Sequence, residues 1–453
     1  MTQETISSAG KRLDVRDTLH AAPLGAFHFR LAILLALILW YDGYDLYNAS
    51  YIVSAVTPAW HLSPSQIGLL LSCGLAGFAI GSAVSGLFGD RLGRRKVILP
   101  GVWLSSAMSL AIALFAHDLS SFVVLRFIMG LALGLLMPMA VTYLNEIAPK
   151  RGNNVFTIGF FSLGWIGGAT SSGFIAAWLM PRFGWQSLYF TGALAMLLAV
   201  ALHFVLPESV AFLSSRHRLD AVRAQLARFW PARAEEFRTA DLVAPAPTVK
   251  AGSLAALFAA RYRRKTLCFW AMGALSLFSS YGLSGWLPTI LLRRGENLSI
   301  SFAYGSLLVF ASAFGSLLSG FVADRIGNRR LAMSIAWLLG ASAIALLALV
   351  TSGSIFWIIV VAGMFVIGTQ TVLNNLVAVS YPTEIRSTAV GVFFGIARFG
   401  AMCGPAISGL LQQATGGPGA MFFVLAAALV TAAALVFLVE RPEGMAQSAA
   451  FGH

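Results

Sequence analysis

Twelve long apolar stretches dominate this sequence, at about 27–50, 65–89, 97–116, 120–144, 155–180, 186–206, 265–291, 301–322, 331–350, 354–379, 388–413 and 418–439. Each is close to or longer than the roughly 20 residues that carry a helix across a bilayer. Hydrocarbon offers the backbone no water to bond, so stretches of this length cross as helices that satisfy their own peptide groups. Of the 453 residues, 58% are hydrophobic and only 11% charged, against roughly 25% charged in a soluble domain. So few charges cannot cover a water-facing surface. The expected fold class is therefore an all-α membrane protein with twelve transmembrane helices.

The net charge of +13 gains meaning only from position. Of the 31 Lys and Arg, 26 fall before or at the start of the first stretch or in segments that share that side of the membrane, eleven of them from Arg216 to Lys265 inclusive. The opposite side carries Arg182, Arg293 and Arg294, while Arg126 and Arg398 lie inside stretches. Basic residues collect on the cytoplasmic side of membrane proteins, so both termini and the central connection are expected there. The excess charge sets topology and gives no reason to expect nucleic acid. The polar residues before position 27 do not resemble a cleaved signal sequence. Cys73, Cys268 and Cys403 have no pairing or ligand spacing, so no disulfide framework or metal site is expected.

The chain also repeats itself. SGLFGDRLGRRK at 85–96 returns as SGFVADRIGNRR at 319–330, and YLNEIAP at 143–149 is echoed by YPTEIRS at 381–387. Both echoes fall at equivalent places in two sets of six stretches. The expected organisation is a disordered cytoplasmic segment over 1–26, a six-helix bundle over 27–206, a cytoplasmic connection over 207–264, a second bundle over 265–440 and a cytoplasmic tail over 441–453. The connection contains RHRLDAVRAQLARFW, an amphipathic basic helix read as lying on the anionic leaflet. A regulatory docking helix is the competing reading.

Duplicated six-helix halves suit a transporter that rocks about a midplane site. From about 27 to 443 the chain resembles the major facilitator superfamily, most specifically in the loop from Gly86 to Arg95 with Asp90, Arg91 and Arg94. The resemblance implies that this loop braces the state open to the outside. Asn328 in the second copy, where the first has Arg94, implies a weaker counterpart around Asp324 and Arg325. Glu146 and Glu384, at repeated helix ends, read as cytoplasmic gate partners. Pro207-Glu208-Ser209 and Arg441-Pro442-Glu443 are similar to family endings.

A charge at a helix centre costs about 2.5–3.5 kcal/mol on insertion scales, yet Asp42, Asp45, Arg126 and Arg398 lie well inside the stretches. Asp42 and Asp45 are three apart and share a helix face, with Gly43 between them thin enough to admit a neighbour. Two close carboxylates in a low dielectric cannot both ionise cheaply, so at least one is expected to hold a proton. Arg126 lies at a depth similar to Asp45, and a pair between them reads either as proton coupling or as a fixed salt bridge. Arg398, near the midplane, reads as a bidentate clamp for a carboxylate, with pairing to a helix carboxylate as the alternative.

Asp42-Gly43-Tyr44-Asp45, the run from Tyr281 to Pro288 and Ala397-Arg398-Phe399-Gly400 are similar to the aromatic acid:proton symporter family. That resemblance implies uptake of benzoate-, hydroxybenzoate- or gentisate-like anions with a proton, in a bacterial inner membrane, in the service of aromatic catabolism. It assigns Asp42, Asp45 and Arg398 to transport. Tyr44, Tyr47, Phe278, Tyr281 and Trp286 are candidate walls for an aromatic ring. Trp165, Gln370, Asn374 and Asn375 are candidate hydrogen-bonding partners for ring hydroxyls. The alternatives are another organic anion, such as a sugar acid or dicarboxylate, or export by proton antiport. With no nucleophile elbow, nucleotide loop or metal cluster, an enzyme is not expected. No cofactor is expected beyond the proton gradient, and the expected partners are the acid anion, the proton and lipid, with the monomer as the working unit.

Overall fold

The computed structural model describes residues 12–15, 18, 25–148, 153–243, 254–350 and 355–439. Among them, eleven helices are long and apolar enough to cross a membrane. Spans 1 to 4 are Ala26–Trp60, Pro64–Leu92, Arg94–Phe115 and Leu119–Ile147. Span 6 joins Gln186–Ala193 to Ala195–Val205. Spans 7, 8 and 9 are Ala260–Arg293, Leu298–Ile326 and Arg329–Leu349. Span 10 runs through Ile355–Ala362, a π-helical turn at Gly363–Ile367 and Gln370–Val379. Spans 11 and 12 are Thr383–Thr415 and Gly419–Leu435. The expected span at 155–180 is also helical, as Asn153–Phe161, a π-helical turn at Ser162–Ile166 and Gly167–Phe183. Its Gly-Gly-Ala-Thr-Ser-Ser-Gly run, 167–173, makes it more polar than the others. Span 7 begins five residues before the expected start, because the Arg-rich turn at 261–265 continues the helix.

Local chemistry starts and stops these helices. On the face away from the N-terminus, called here the far face, Ser63 and Gln66 form a reciprocal cap ahead of Pro64, and Asn297 Oδ1 accepts from the Ile300 N–H at 2.8 Å. Asp118 caps span 4, and the Ser121 hydroxyl and N–H hold its carboxyl below the ordinary range. On the opposite, basic face, Gly93 and Gly327 take φ of 98° and 65°. These matched positions of the repeat turn the chain between spans 2 and 3 and between spans 8 and 9, where a side chain would be strained.

Within each half, spans meet backbone to backbone through glycine. A Cβ on Gly77 or Gly81 would strike the Phe127 or Leu131 carbonyl of span 4, and one on Gly130 or Gly134 would strike span 2 at Gly74 or Phe78. Gly400 and Gly404 of span 11 meet Ala274 and Phe278 of span 7 in the same way.

Between the halves, the close backbone contacts found among the described residues lie on the far side. Gly68 meets Pro405 and Ala406, Gly409 meets Pro64, and the Ser65 N–H donates to Gln413 Oε1 at 3.2 Å. Tyr51 fills the space between Gly173 of span 5 and Gly305 of span 8. Lower on the same face of span 11, a Cβ on Gly391 or Gly395 would meet nothing within 4 Å. The halves are thus sealed at the far face and parted toward the basic face.

The central connection differs from the expected surface-lying linker. Val210–Ser215, Leu219–Phe229, Ala234–Thr239 and a strand at Asp241–Val243 enclose a small separate core with Val222, Leu226, Phe229, Trp230 and Phe237 at its centre. The apolar face of the basic helix is used here, so it is not left over for lipid. The strand β2, Asp241–Val243, pairs in parallel with β1, Arg12–Asp14, and Val15 enters the same core. The expectation of disorder over 1–26 is corrected at these residues, because a hydrophobic partner lies within reach. Residues 1–11 and 441–453 lie outside the described residues. This unit rides on the first half: Phe229 stacks on Phe27 at 4.8 Å, Trp230 lies 5.1 Å from the His28 ring, and Arg216 donates to the Asp90 and Arg91 carbonyls.

The far seam leaves no room for added volume at Gly409. Gly409→Leu is expected to wedge it apart and raise the labelling rate of a cysteine placed at Ser50, in a background lacking the native cysteines, several-fold. An impermeant thiol reagent applied from the far side measures this.

Candidate functional site

The site begins in span 1, where the sequence places two acids in an apolar helix. Asp42 and Asp45 are both buried. Gly43 lies on the Trp165 carbonyl of span 5, so the two backbones touch where the acids sit. Among the described residues no hydrogen bond of ordinary geometry reaches either oxygen of Asp42, and the indole N–H of Trp165 faces that carboxyl as its one nearby donor. The charges that act on Asp42 are Arg398, from the other half, and Asp45.

Asp45 has a different environment. Its Oδ1 accepts from Asn48 Nδ2 at 3.2 Å and packs against Gly192 at the bend of span 6. Arg126 does come to Asp45, but it donates to the backbone carbonyl and not to the carboxylate. Among the described residues no ion pair joins the two side chains. The guanidinium lies against Gly74, with Met129 Sδ at 3.5 Å and the Tyr189 ring centre at 5.8 Å. The expected pair is thus a shared neighbourhood with the side chains turned apart. Asn48, one turn along the same helix, takes up the Asp45 carboxylate.

Arg398 projects from span 11 across the gap between the halves. Its guanidinium carbon lies 4.1 Å from the centre of the Phe78 ring in span 2, and Nη2 donates to Met137 Sδ of span 4 at 3.4 Å. No carboxylate lies within ion-pair distance of it among the described residues, and Asp42 and Tyr281 are the titratable groups that act on it. A guanidinium carries five N–H donors in a planar fork, and a thioether is a weak acceptor for one of them. The remaining donors sit at the vertex where the sealed far side gives way to the open basic side.

Aromatic residues stand beside this vertex. Tyr47 lies 5.9 Å from Trp165 and 6.2 Å from Tyr281, which belongs to the other half. Tyr47, Tyr281, Ser50, Ser284, Leu71 and Pro405 line a crevice between the halves. Other expected wall residues are elsewhere. Tyr44 is fully buried, stacks on Trp40 at 5.3 Å and donates to the Leu188 carbonyl at 2.9 Å, so it packs span 1 against span 6. Trp286 is fully buried and donates to the Pro405 carbonyl at 3.0 Å, tying span 7 to span 11 near the far seam. Gln370 donates to Asn374 at 3.0 Å within span 10, and no hydrogen bond joins either, or Phe278, to the acids or to Arg398 among the described residues. Asn48, Phe78, Met137 and Ser284 were not expected. The i+3 spacing from Asp45 points to Asn48; nothing in the local sequence singles out Phe78 among 33 phenylalanines.

The expected gate residues form networks inside each half. Arg94 is the hub of the first: it bonds Asp90 and Glu146 at 3.2 Å each and the Gly89 carbonyl at 2.9 Å, while Ser209 donates to Glu146. Glu208 accepts from the Arg94 and Arg95 N–H groups at 2.7 and 3.2 Å, a carboxylate on a helix N-terminus. Arg91 is exposed. In the second half, Arg329 pairs with Asp324 at 3.4 Å and Arg325 is exposed, while Asn328 caps span 9 in place of an arginine hub. The Glu384 side chain lies outside the described residues. No ion pair crosses between the halves among the described residues, which accords with a molecule parted on its basic side.

Two duplicated six-helix halves, closed at one face and parted at the other around buried charges, define a secondary transporter that works by alternating access. The family model described as Major Facilitator Superfamily matches residues 34–314 and 298–452. A gallate transporter of Pseudomonas putida is 35% identical over 94% of this chain and 95% of its own length. The 4-hydroxybenzoate transporter PcaK of Pseudomonas aeruginosa is 34% identical over 94% and 96%. In fold, the chain matches the xylose transporter XylE from E. coli in a partially occluded inward-open conformation, with a TM-score of 0.71 at 16% identity over 93% and 99% of the two chains. The chain belongs to the major facilitator superfamily and, within it, to the aromatic acid:proton symporter family.

The Arg94 network ranks its own members. The Asp90 side chain is 78% exposed, so Asp90→Asn is expected to cost under about 1 kcal/mol. Glu146 is only 17% exposed, so Arg94→Met strands its carboxylate and is expected to cost about 2 kcal/mol. Thermal unfolding in detergent compares the two.

Proposed function

We propose that this protein imports small aromatic carboxylates, of the gallate and hydroxybenzoate type, together with protons across a bacterial inner membrane. The observation that carries this reading is the Arg398 guanidinium, set between the halves with no carboxylate partner within ion-pair distance among the described residues and with Tyr47 and Tyr281 nearby. A charge in that position is costly unless something shares it. An aromatic acid offers a bidentate carboxylate for the fork and a ring for the aromatic side chains. The names of the relatives support the same substrate class. On this reading the basic face is cytoplasmic, both termini lie inside, the monomer is the working unit, and the structure corresponds to the state open to the cytoplasm.

Import then requires the buried acids to be neutral when the halves rock. Asp45, held by Asn48, and Asp42, beside Trp165, are protonated from outside while the anion docks on Arg398. With both signs of charge neutralised, the barrier to passing through an occluded state falls. Opening to the cytoplasm releases anion and proton, and the Arg126 field helps to return Asp45 to its ionised form. The loop networks around Arg94 and Arg329 stay within their halves in the open state and meet across the gap when the cytoplasmic side closes.

Arg398→Ala is expected to lower the affinity for 4-hydroxybenzoate and gallate at least about 100-fold, since a charge-assisted bidentate contact is lost. Radioligand binding to purified protein reads this, and unchanged affinity would overturn the clamp. Asp45→Asn is expected to abolish accumulation of labelled 4-hydroxybenzoate in vesicles under a proton gradient while sparing counterflow. Concentrative uptake by that variant would remove Asp45 from the coupling step.

A further inference from the structure

We infer that Phe78 is a positioning residue for Arg398, its ring face holding the guanidinium in the orientation that receives the substrate carboxylate. The inference rests on the reading of Arg398 as the anion clamp and names what makes the clamp effective. Arg398 hangs from span 11 of the second half, but the surfaces that hold its head belong to the first half: the Phe78 ring at 4.1 Å and Met137 Sδ at 3.4 Å. Neither is an anion, so neither neutralises the charge that the substrate must meet.

The platform itself is rigid. Phe78 is fully buried, and its backbone is gripped from span 4, where Gly130 lies on the Phe78 N–H and Gly134 on its carbonyl. An arginine side chain turns about several bonds, and holding it in one place costs affinity each time a ligand binds. A guanidinium seated over a fixed ring is already ordered, and the ring face takes up none of its N–H donors. Without the ring, the head is free to turn toward Asp42, the acid that acts on it from span 1. The substrate would then have to displace a carboxylate already present. Ring and guanidinium come from opposite halves, so the contact spans the interface at which the anion is received.

The test grades the ring without changing its shape. Replacing Phe78 with 4-fluoro-, 3,5-difluoro- and 3,4,5-trifluorophenylalanine drains the negative face of the ring stepwise. Binding of labelled 4-hydroxybenzoate to the full-length protein in nanodiscs is expected to weaken at each step. Phe78→Leu is expected to weaken it about 5- to 30-fold, the range of a desolvated cation–π contact. A purely structural role predicts no dependence on fluorination, so a flat series would overturn the proposal, as would unchanged affinity in Phe78→Leu. Should Phe78→Leu fail to reach the membrane, the near-isosteric fluorinated series decides alone. Arg398→Ala separates the two readings. If that variant binds normally, the clamp itself is wrong; if it loses binding while the fluorinated series stays flat, only the role of Phe78 falls.

Discussion

An ionised side chain in hydrocarbon has to be neutralised, shared or hydrated, and the interior of this protein is arranged around four that are handled in different ways. Arg126 is satisfied inside the first half by a backbone carbonyl, a thioether and an aromatic ring. Asp45 leans on Asn48. Among the described residues, Asp42 has no hydrogen bond of ordinary geometry, and Arg398, from the other half, reaches a ring and a thioether. The incompletely satisfied pair therefore straddles the interface that must open and close, whereas the better satisfied pair lies within one rigid half. That division places the charge without a carboxylate partner at the interface that moves.

The rigidity of each half comes from glycine. Reciprocal contacts between spans 2 and 4, and the matching ones between spans 7 and 11, leave no room for a methyl group. Hydrocarbon gives apolar helices little reason to associate, so close backbone approach and the dispersion it allows carry the packing. Between the halves, among the described residues, similar close contacts of small residues lie toward the far face, at Gly68, Gly173, Gly305 and Gly409. The same face of span 11 continues through Gly395 and Gly391 into open space. A seam built this way zips over part of its length and leaves the remainder free.

Much of the architecture was legible in the chain because its causes are local. Span length follows from bilayer thickness, and the matched Gly93 and Gly327 of the sequence repeat sit in two turns that share positive φ. The loss of an arginine at Asn328 foretold a second loop without the hub that Arg94 provides, and Asn328 instead caps a helix. The errors have a common origin. Tyr44 and Trp286 look like wall residues in sequence, yet each has its polar atom taken by a backbone carbonyl on another span. The basic helix of the central connection looked like a lipid-facing element, yet Val210, Leu213, Phe237 and Leu242 close over its apolar face, together with Val15 from some 200 residues away in the chain.

The sequence by itself determined the solvent, the places of the spans, the duplication and the short roster of charges with a cost to answer for. Each follows from hydrophobicity, spacing or composition along a line. Tertiary structure alone decided which face the halves leave open, that Arg126 turns to the Asp45 carbonyl and not its carboxylate, and that one phenylalanine among 33 lies under Arg398. Those outcomes depend on the register between spans of different halves. Register is set by glycine contacts distributed over the whole bundle, and no single stretch of sequence carries it.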